Sequence, residues 1–262
     1  MKIKIGIIGG GNMGGAIIAG ISKQFSVSVC EQDRKRCQQL KRKYKVTTGD
    51  LRTVVERSHA VIIAVKPQNF EKLLKQIRPF VTKDKLIISI AAGITCRFIE
   101  KVLGRKAHVV RTMPNLPVLV GCGITGICSG KSAVSKDLLL ARRIFSCIGK
   151  AVVVEEKWMD AITAVSGSGP AYVFQFIEQF NNAARSLGLD KNLANELVLQ
   201  TIQGSLNLLE QDKKDAGQLR VQVTSKGGTT QAALDVFRKK RSEKIFKSAL
   251  SAAKKRAKEL SK

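Results

Sequence analysis

The chain has 262 residues, which is enough to bury a sizeable hydrophobic core in one large domain or two smaller ones. Its 46 Lys and Arg residues outnumber its 20 Asp and Glu residues, so the formal net charge is +26 at pH 7. This surplus favours anionic partners, such as phosphorylated small molecules, nucleic acids or anionic lipids, and carries no information about the fold.

The six cysteines and two histidines give no sign of a metal centre. The cysteines form no CxxC pair, and His59 and His108 do not lie at metal-ligand spacing, so we expect no metal site. A strand-like segment follows Met1 directly, which leaves no room for a signal peptide, and no apolar run reaches the length of a membrane span. We therefore expect a cytoplasmic protein in a reducing compartment.

Short apolar segments rich in β-branched residues predict strands in the first part of the chain. They are IKIGII, VSVCE, AVIIAV, LIISIAA, HVVRTM, GITGIC and AVVVEE, and the early ones leave room for a crossover helix between them. This alternation is typical of βαβ units in a parallel sheet that is buried on both faces. It predicts an α/β fold with a doubly wound, Rossmann-type domain over residues 1–155.

From Trp158 onward the periodicity is helical, with breaks at GSGP, SLGLD and SKGGTT. We predict a smaller all-helical domain over residues 156–262. Its last segment is rich in Lys and Arg and has only a broken apolar stripe, so we expect a solvated face or a frayed tail. Phe246 is the single aromatic residue among these charges, which do not show the regular aromatic interleaving of base-stacking platforms, so specific nucleic-acid binding is a poor explanation of them.

A glycine motif follows the first predicted strand. Gly9, Gly11 and Gly14 form G-x-G-x-x-G at the mouth of the first predicted helix. The first glycine allows a tight turn, the second lets the backbone approach a pyrophosphate, and the third lets the helix pack close to the strand. At the start of a βαβ array this pattern predicts a dinucleotide cofactor, NADPH or NADH.

Glu31 lies about 20 residues after the motif, at the end of the second predicted strand, where an acidic residue holds the ribose hydroxyls. Its carboxylate would repel a 2′-phosphate and so favours NAD. The cations that follow, Arg34, Lys35 and Arg36, could still hold the phosphate of NADP. Glu31 could also be a plain surface residue, so the choice of cofactor stays open.

The ends of the next three predicted strands carry small, proline or amide residues in AVKPQNF, SIAAGIT and RTMPNLP. Each segment alone is compatible with a simple turn. Together they would form a wall along the crevice at the carboxyl ends of the strands, where ligands bind in open α/β sheets.

Two segments of the helical half place glycines and hydroxyl residues directly before an apolar helix: SGSGPAY from Ser166 and SKGGTTQAAL from Ser225. Helix N-termini of this kind bind anions, and a carboxylate is the expected guest here. The first segment could instead be a plain turn between helices, with Ser168 as cap and Pro170 in the first helical position.

The motifs IGIIGGGNMGGAI, AVKPQ, SIAAGI, AVSGSGPAYVF and VTSKGGTTQAAL together resemble the pyrroline-5-carboxylate reductase family over nearly the whole chain. Lys226 stands where family members usually have proline, and Leu116 where they usually have threonine. The resemblance implies hydride transfer from NADPH or NADH to the C=N bond of L-1-pyrroline-5-carboxylate, which gives L-proline in the last step of proline biosynthesis.

The resemblance also implies roles for individual residues. Substrate would be bound by the loop with Ser225, Gly227, Gly228, Thr229 and Thr230 and by Ser168, with backbone N–H groups on its carboxylate and the Thr230 hydroxyl near its ring nitrogen as the catalytic group. The cofactor would be lined by matched residues beyond the glycines and Glu31, namely Asn12, Met13, Ala64, Lys66, Pro67, Ala91, Ala92 and Asn115. The helical half would form a homodimer, and dimers could gather into a homodecamer.

Two other classes of protein share part of this pattern. A β-hydroxyacid dehydrogenase would need a catalytic lysine, and GSGPAYVFQFIEQFNNAARS contains none. A basic dinucleotide-binding or nucleic-acid-associated protein would use the charge but would leave the SKGGTT loop unexplained.

Overall fold

The computed structural model describes residues 2–104 and 106–261, so residues 1 and 262 of the predicted domains lie outside the described chain. The described residues form one mixed sheet that carries helices on both faces, followed by a run of long helices. This is the predicted α/β architecture with an all-helical second part. Among these residues, no helix combines the length and the apolar composition needed to cross a membrane.

The sheet contains the seven predicted strands and one more. In chain order the strands are β1 Lys4–Ile8, β2 Ser26–Cys30, β3 Thr47–Thr48, β4 Ala60–Ile63, β5 Leu86–Ser89, β6 His108–Met113, β7 Gly123–Ser129 and β8 Gly149–Val153. Their order across the sheet is β3-β2-β1-β4-β5-β6-β7-β8. The additional strand, β3, was not predicted from the sequence because it is only two exposed residues long and has no apolar pattern.

The prediction of a parallel sheet is wrong for one pair of strands. β6 and β7 pair antiparallel, with Arg111 opposite Cys128, whereas every other described pair is parallel. The connection between these two strands contains only a 3₁₀ turn, Leu116–Val120. A parallel pair needs a crossover of about a dozen residues or more, so this short connection returns the chain alongside β6 in the opposite direction.

The sheet is buried on both faces because alternate residues of its central strands belong to two separate apolar clusters. The helices around the sheet are α1 Asn12–Ile21, α2 Arg34–Tyr44, α3 Leu51–Arg57, α4 Pro67–Ile77, α5 Cys96–Leu103, α6 Ser135–Phe145 and α7 Met159–Ile162. Ile62 packs with α1 and α6, while Val61 and Ile63 pack with α4 and α5.

The later helices are α8 Gly169–Ser186, α9 Lys191–Gln211, α10 Ala216–Gln222, α11 Thr229–Lys239 and α12 Ser242–Leu260. The predicted breaks at SLGLD and SKGGTT are confirmed, since they separate α8 from α9 and α10 from α11.

The predicted break at GSGP is confirmed, but it consists of the single residue Ser168 and is not a plain turn between helices. Thr163–Gly167 is a π-helical turn, α8 begins at Gly169, and the Ser168 N–H donates to the Thr163 carbonyl at 2.8 Å. A side chain on Gly167 would have its Cβ 2.6 Å from Met113 Cε. The small residues therefore let a helical turn pass close to the end of β6.

The chain forms two compact units. One extends to Pro170 and includes Ala252 and the residues that follow it, and the other is Ala171–Ser251. The division into residues 1–155 and 156–262 stays a prediction.

The end of α12 has one packed side and one solvated side. The expected solvated face is confirmed, since Lys254, Lys255, Arg256 and Lys258 are exposed, whereas the alternative of a frayed tail is wrong because the helix continues to Leu260. Ala257 is 9% exposed, and the Ser261 hydroxyl lies 3.3 Å from Asp160 Oδ1. The Leu260 carbonyl oxygen lies 2.5 Å from where a Cβ on Gly93 would be. Gly93 has a φ of +72°, and the close approach of Leu260 leaves no room for a side chain there.

Candidate functional site

The glycine motif forms a cradle between β1 and α1 that cannot hold additional side chains. Gly9 has a φ of +98°, and a Cβ there would lie 2.6 Å from the Ala64 carbonyl oxygen. A Cβ on Gly14 would overlap the Gly9 carbonyl oxygen. Gly11 is different, because the atom nearest to its Cβ position is Arg36 Nη1, 3.8 Å away. The loop is thus tightly packed behind Gly9 and Gly14 and open at Gly11, which fits a pyrophosphate.

Helix α1 offers its N-terminus to this open side. It begins at Asn12 after Gly11, and in the part of the chain described here no side chain caps it. The first-turn N–H groups of a helix lack intrahelical acceptors, and the helix dipole adds partial positive charge. Asn12 is exposed and Met13 half-buried at this end. Asn12 and the Gly11 backbone are therefore open at this end, whereas Gly14 is buried and Met13 packs against the apolar cluster beside α1.

Glu31 binds the backbone of the glycine loop rather than standing free at the surface. Its Oε2 accepts a hydrogen bond from the Gly10 N–H at 2.6 Å, and its Oε1 accepts one from the Asp33 N–H at 2.9 Å. The side chain is half-buried. The carboxylate therefore joins the end of β2 to the glycine loop, beside the place where an adenosine ribose is expected.

The basic residues that follow Glu31 differ in position. Arg36 and Lys43 line a cavity of about 510 Å³ together with Gly10, Gly11 and Asn12. We call this space the cofactor cavity. Arg34 and Lys35 are exposed, and the N–H groups of Lys35 and Arg36 donate to the capping carboxylate of Asp33. Arg36 is the cation of the predicted cluster that the fold brings to the glycine loop.

The predicted rim residues lie at the carboxyl ends of β4, β5 and β6. The Ala64 N–H donates to the Ile8 carbonyl at 2.8 Å, which holds the end of β4 against β1. Lys66 and Pro67 begin α4, and the Ala91 N–H donates to Ser89 Oγ at 3.2 Å, with Ala92 next to it. Asn115 is 8% exposed, and its Oδ1 accepts from the Ile124 N–H at 2.9 Å.

The predicted substrate residues other than Ser168 form one loop, residues 225–230, which we call the substrate loop. Gly227 has a φ of +72°, and the Gly228 N–H donates to the Ser225 carbonyl at 3.1 Å. A Cβ on Gly228 would meet the rotatable Ser225 Oγ and would lie 3.2 Å from the Ser225 carbonyl oxygen, so a side chain there would be crowded. Thr229 and Thr230 are the first two residues of α11, for which the described residues provide no side-chain cap. The turn therefore aims an uncapped helix N-terminus outward from Gly228.

Gln231 is a supporting residue that the sequence reading missed. Its Oε1 accepts from the Gly227 N–H at 2.7 Å and so fixes the turn from the helix side. The sequence contains a pattern that indicates this role, because a Gln three residues after a helix cap is half of a capping box. Lys226 is exposed on the same turn. Ser168 belongs to the other compact unit, where it follows the π-helical turn.

Comparison with protein families assigns both halves of the chain. Residues 156–260 match the family described as pyrroline-5-carboxylate reductase dimerisation. Residues 4–93 match the family described as NADP oxidoreductase coenzyme F420-dependent.

Curated relatives match over the full length. The chain is 36% identical to pyrroline-5-carboxylate reductase 2 of Bacillus subtilis over 98% of this chain and 95% of the relative. It is 37% identical to the pyrroline-5-carboxylate reductase of Synechocystis over 100% of both chains.

Solved structures match equally well. A pyrroline-5-carboxylate reductase from Coxiella burnetii has a TM-score of 0.94 and 36% identity, with 100% of both chains covered. The Plasmodium falciparum pyrroline carboxylate reductase with NADP bound has a TM-score of 0.88 and 32% identity, covering 99% of this chain and 100% of that one.

The packing of the glycine cradle predicts different effects of alanine substitution at two adjacent glycines of α1. Gly14→Ala places a methyl group on the Gly9 carbonyl oxygen, so we expect a loss of about 1–3 kcal/mol in stability and at least about tenfold weaker NADPH binding. Gly15→Ala is the control, because its Cβ would lie 3.5 Å from the Gly10 oxygen, an ordinary contact. Thermal unfolding and NADPH fluorescence titration measure both effects. Equal behaviour of the two variants would show that the close approach at Gly14 is not limiting.

Proposed function

The chain belongs to the pyrroline-5-carboxylate reductase family, and we propose that it reduces L-1-pyrroline-5-carboxylate to L-proline, the last step of proline biosynthesis. The observation that carries this proposal is a pair of features of the described residues that such a reaction would use. A glycine cradle suited to a dinucleotide lies in one compact unit, and an uncapped helix N-terminus suited to a carboxylate lies in the other. NADPH or NADH supplies the hydride when bound, and the protein's residues position and enclose the reactants.

We propose that the substrate carboxylate binds to the N–H groups of Gly228, Thr229 and Thr230. The Thr229 and Thr230 N–H groups belong to the first turn of α11, where orphan donors and the helix dipole favour an anion. The Gly228 N–H already donates to the Ser225 carbonyl and would share its hydrogen with the carboxylate. The left-handed turn at Gly227 and the Gln231 hydrogen bond support the proposal, because they keep the turn in one conformation. The exposed Lys226 adds a positive charge to the same turn. Ser225 and Gly227 would contribute through this backbone, and Ser168 is proposed as a further substrate-binding residue.

We propose that Thr230 is the catalytic residue in the limited sense that its hydroxyl hydrogen-bonds the ring nitrogen. Reduction adds a hydride to the imine carbon and requires a proton on the nitrogen, which becomes the secondary amine of proline. A protonated cyclic imine already accepts hydride well, so orientation and exclusion of water can provide most of the rate. A hydroxyl at the nitrogen orients the imine or relays its proton, and a buried carboxylate pair is not needed.

We propose that the dinucleotide runs along the carboxyl ends of the strands. Gly9, Gly11, Asn12, Met13 and Gly14 would contact the pyrophosphate, and Glu31 the adenosine ribose. Towards its nicotinamide end the cofactor would be lined by residues from the next three strand ends, namely Ala64, Lys66, Pro67, Ala91, Ala92 and Asn115. The support for this path is the strand order, which places the ends of β4, β5 and β6 next to one another.

We propose NADPH as the preferred donor. Both Glu31 oxygens already accept backbone N–H groups, which offsets part of the negative charge that would repel a 2′-phosphate. Arg36 and Lys43 line the cofactor cavity and supply positive charge there. A guanidinium also matches the geometry of a phosphate group better than an ammonium does.

We propose a homodimer, formed by the helical part of the chain, and dimers that gather into a homodecamer. In the unit Ala171–Ser251 the described residues form a buried cluster of only Ala184, Ala194 and Val198. Large apolar side chains of the same unit remain exposed, among them Phe174, Phe176, Leu197, Leu206 and Phe246. A core this small cannot stabilise long helices alone, so a second chain is expected to cover them. For the decamer the support is family resemblance.

We also propose a cytoplasmic location, supported by the thiols. All six cysteines are free in the described chain, and one of them, Cys122, is exposed. Free thiols persist in a reducing compartment, whereas secreted proteins usually pair them.

The proposed role of Thr230 is tested by Thr230→Ala in an assay that follows loss of NADPH absorbance with pyrroline-5-carboxylate. We expect kcat to fall on the order of 100-fold while NADPH affinity and thermal stability stay unchanged. Thr229→Ala is the control, because that residue acts through its backbone N–H and should keep near-normal activity. Wild-type activity in Thr230→Ala would remove this hydroxyl from the mechanism. No activity in assembled wild-type protein would overturn the proposed reaction itself.

The cofactor preference is tested by Arg36→Ala. Losing the guanidinium should raise the KM for NADPH by about tenfold or more and leave the KM for NADH nearly unchanged, because only NADPH carries the 2′-phosphate. Arg34→Ala removes an exposed cation from the same helix turn and should change either value much less. A parallel change with both cofactors would mean that Arg36 acts on the fold of the loop.

The assembly is tested by light scattering coupled to size-exclusion chromatography. We expect the mass of two or ten chains at micromolar concentration. Phe174→Glu and Phe176→Glu together place charges on the exposed apolar face and should shift the protein to monomers, while Lys191→Glu on the exposed start of α9 should not. Wild-type protein that elutes with the mass of one chain would contradict the proposed dimer.

A further inference from the structure

Two buried cysteines and a carboxylate meet within the first compact unit. The Sγ atoms of Cys96 and Cys128 and a carboxylate oxygen of Glu156 all lie within 4.8 Å of one another. Cys96 is the first residue of α5, Cys128 lies in β7, and Glu156 begins the 3₁₀ turn Glu156–Trp158. We call these three residues the thiol cluster. The reductase reaction proposed above makes no use of it.

We propose that the thiol cluster binds Zn²⁺ or a similar thiophilic divalent cation. Thiolate and carboxylate are both zinc ligands, and in a tetrahedral zinc site two sulfurs lie about 3.8 Å apart, given Zn–S bonds of about 2.3 Å. The donor atoms are already gathered to within 4.8 Å, so closing on a cation requires only small side-chain movements. Because two of the three donors are sulfur, Zn²⁺ is favoured over Mg²⁺ or Ca²⁺.

The cluster borders a cavity on one side. Cys96 and Glu156 line this cavity of about 1050 Å³, whose wall also includes Glu100, Ser129 and Gly130. The Glu156 side chain is partly exposed, whereas Cys96 and Cys128 are buried. Three protein donors leave one position for water or another small ligand, as in zinc sites whose coordination is not closed by the protein. A cation would approach along the carboxylate, and local movement of side chains would uncover the two sulfurs.

Neighbouring charges limit the affinity but do not prevent binding. Arg111 Nη1 lies 3.3 Å from Glu156 Oε1, and the same oxygen accepts the Cys96 N–H at 2.8 Å. Asp160 lies 3.8 Å from the other end of the guanidinium and offsets part of its charge. The remaining cations of the cavity wall, Arg97, Lys101 and Lys131, are exposed, so solvent and salt screen them. The second carboxylate oxygen of Glu156 is the one expected to bind the metal.

A bound cation would tie together three parts of one compact unit, because its ligands come from α5, β7 and the turn before α7. Metal binding to the folded state alone stabilises that state by mass action. We therefore expect Zn²⁺ to raise the thermal unfolding temperature of the reduced, full-length protein independently of its reductase activity.

The test uses Co²⁺ as a spectroscopic substitute for Zn²⁺ in the reduced full-length protein. We expect near-ultraviolet thiolate-to-cobalt absorption and visible bands of four-coordinate Co²⁺ that saturate at about one equivalent per chain and disappear on addition of Zn²⁺. Cys96→Ala and Cys128→Ala should each abolish the thiolate absorption. Cys122→Ala removes an exposed thiol and should leave it unchanged.

Glu156→Gln and Glu155→Gln form a second matched pair that keeps the test decisive if a cysteine variant fails to fold. Glutamine can still accept the Cys96 N–H, so Glu156→Gln should fold and bind Co²⁺ about tenfold or more weakly. Glu155 is exposed and adjacent, and Glu155→Gln should bind normally. Absence of thiolate absorption in the wild type, its persistence in either folded cysteine variant, or equal affinities in the two glutamine variants would overturn the site.

Discussion

The close packing of α1 against β1 and β4 is the constraint on which the cofactor-binding part of the molecule depends. A Cβ on Gly14 would overlap the Gly9 carbonyl oxygen, and one on Gly9 would lie 2.6 Å from the Ala64 carbonyl oxygen. Because no side chain intervenes, the N-terminus of α1 lies directly beyond the strand ends, where an anion can reach its N–H groups. Glu31 then fixes the loop from the neighbouring strand through the Gly10 N–H. The same steric limits therefore define both the fold and the binding surface.

The constraint on the helical unit Ala171–Ser251 is different, because this unit buries very little apolar surface of its own. Of its described residues only Ala184, Ala194 and Val198 form a buried cluster, while many large apolar side chains face outward. Such helices are stable when a second apolar surface covers them. The loop of residues 225–230 and helix α11 belong to this same unit.

The few acidic residues of this very basic chain have specific structural uses. Asp33, Asp50, Asp190 and Asp215 each cap the start of a helix, where a carboxylate satisfies N–H groups and complements the dipole. Glu156 forms an ion pair with the buried Arg111 and is also a member of the thiol cluster. A hydrogen bond with Cys128, followed by burial, raises the pKa of the Cys96 thiol well above its usual range. A cation at the cluster must therefore displace that thiol proton.

The sequence by itself determined the features that arise from local patterns. It predicted seven strands, the glycine cradle, the helix that begins after Gly228 and the family, because alternation, turn residues and motif spacing are properties of neighbouring residues. Only the tertiary structure decided the antiparallel direction of β7, the π-helical turn before α8, the packing of the end of α12 and the choice of Arg36 among three adjacent cations. It also decided the meeting of Cys96 with Cys128. These features depend on contacts between segments far apart in the chain, and no local spacing records which distant side chains a fold will bring together.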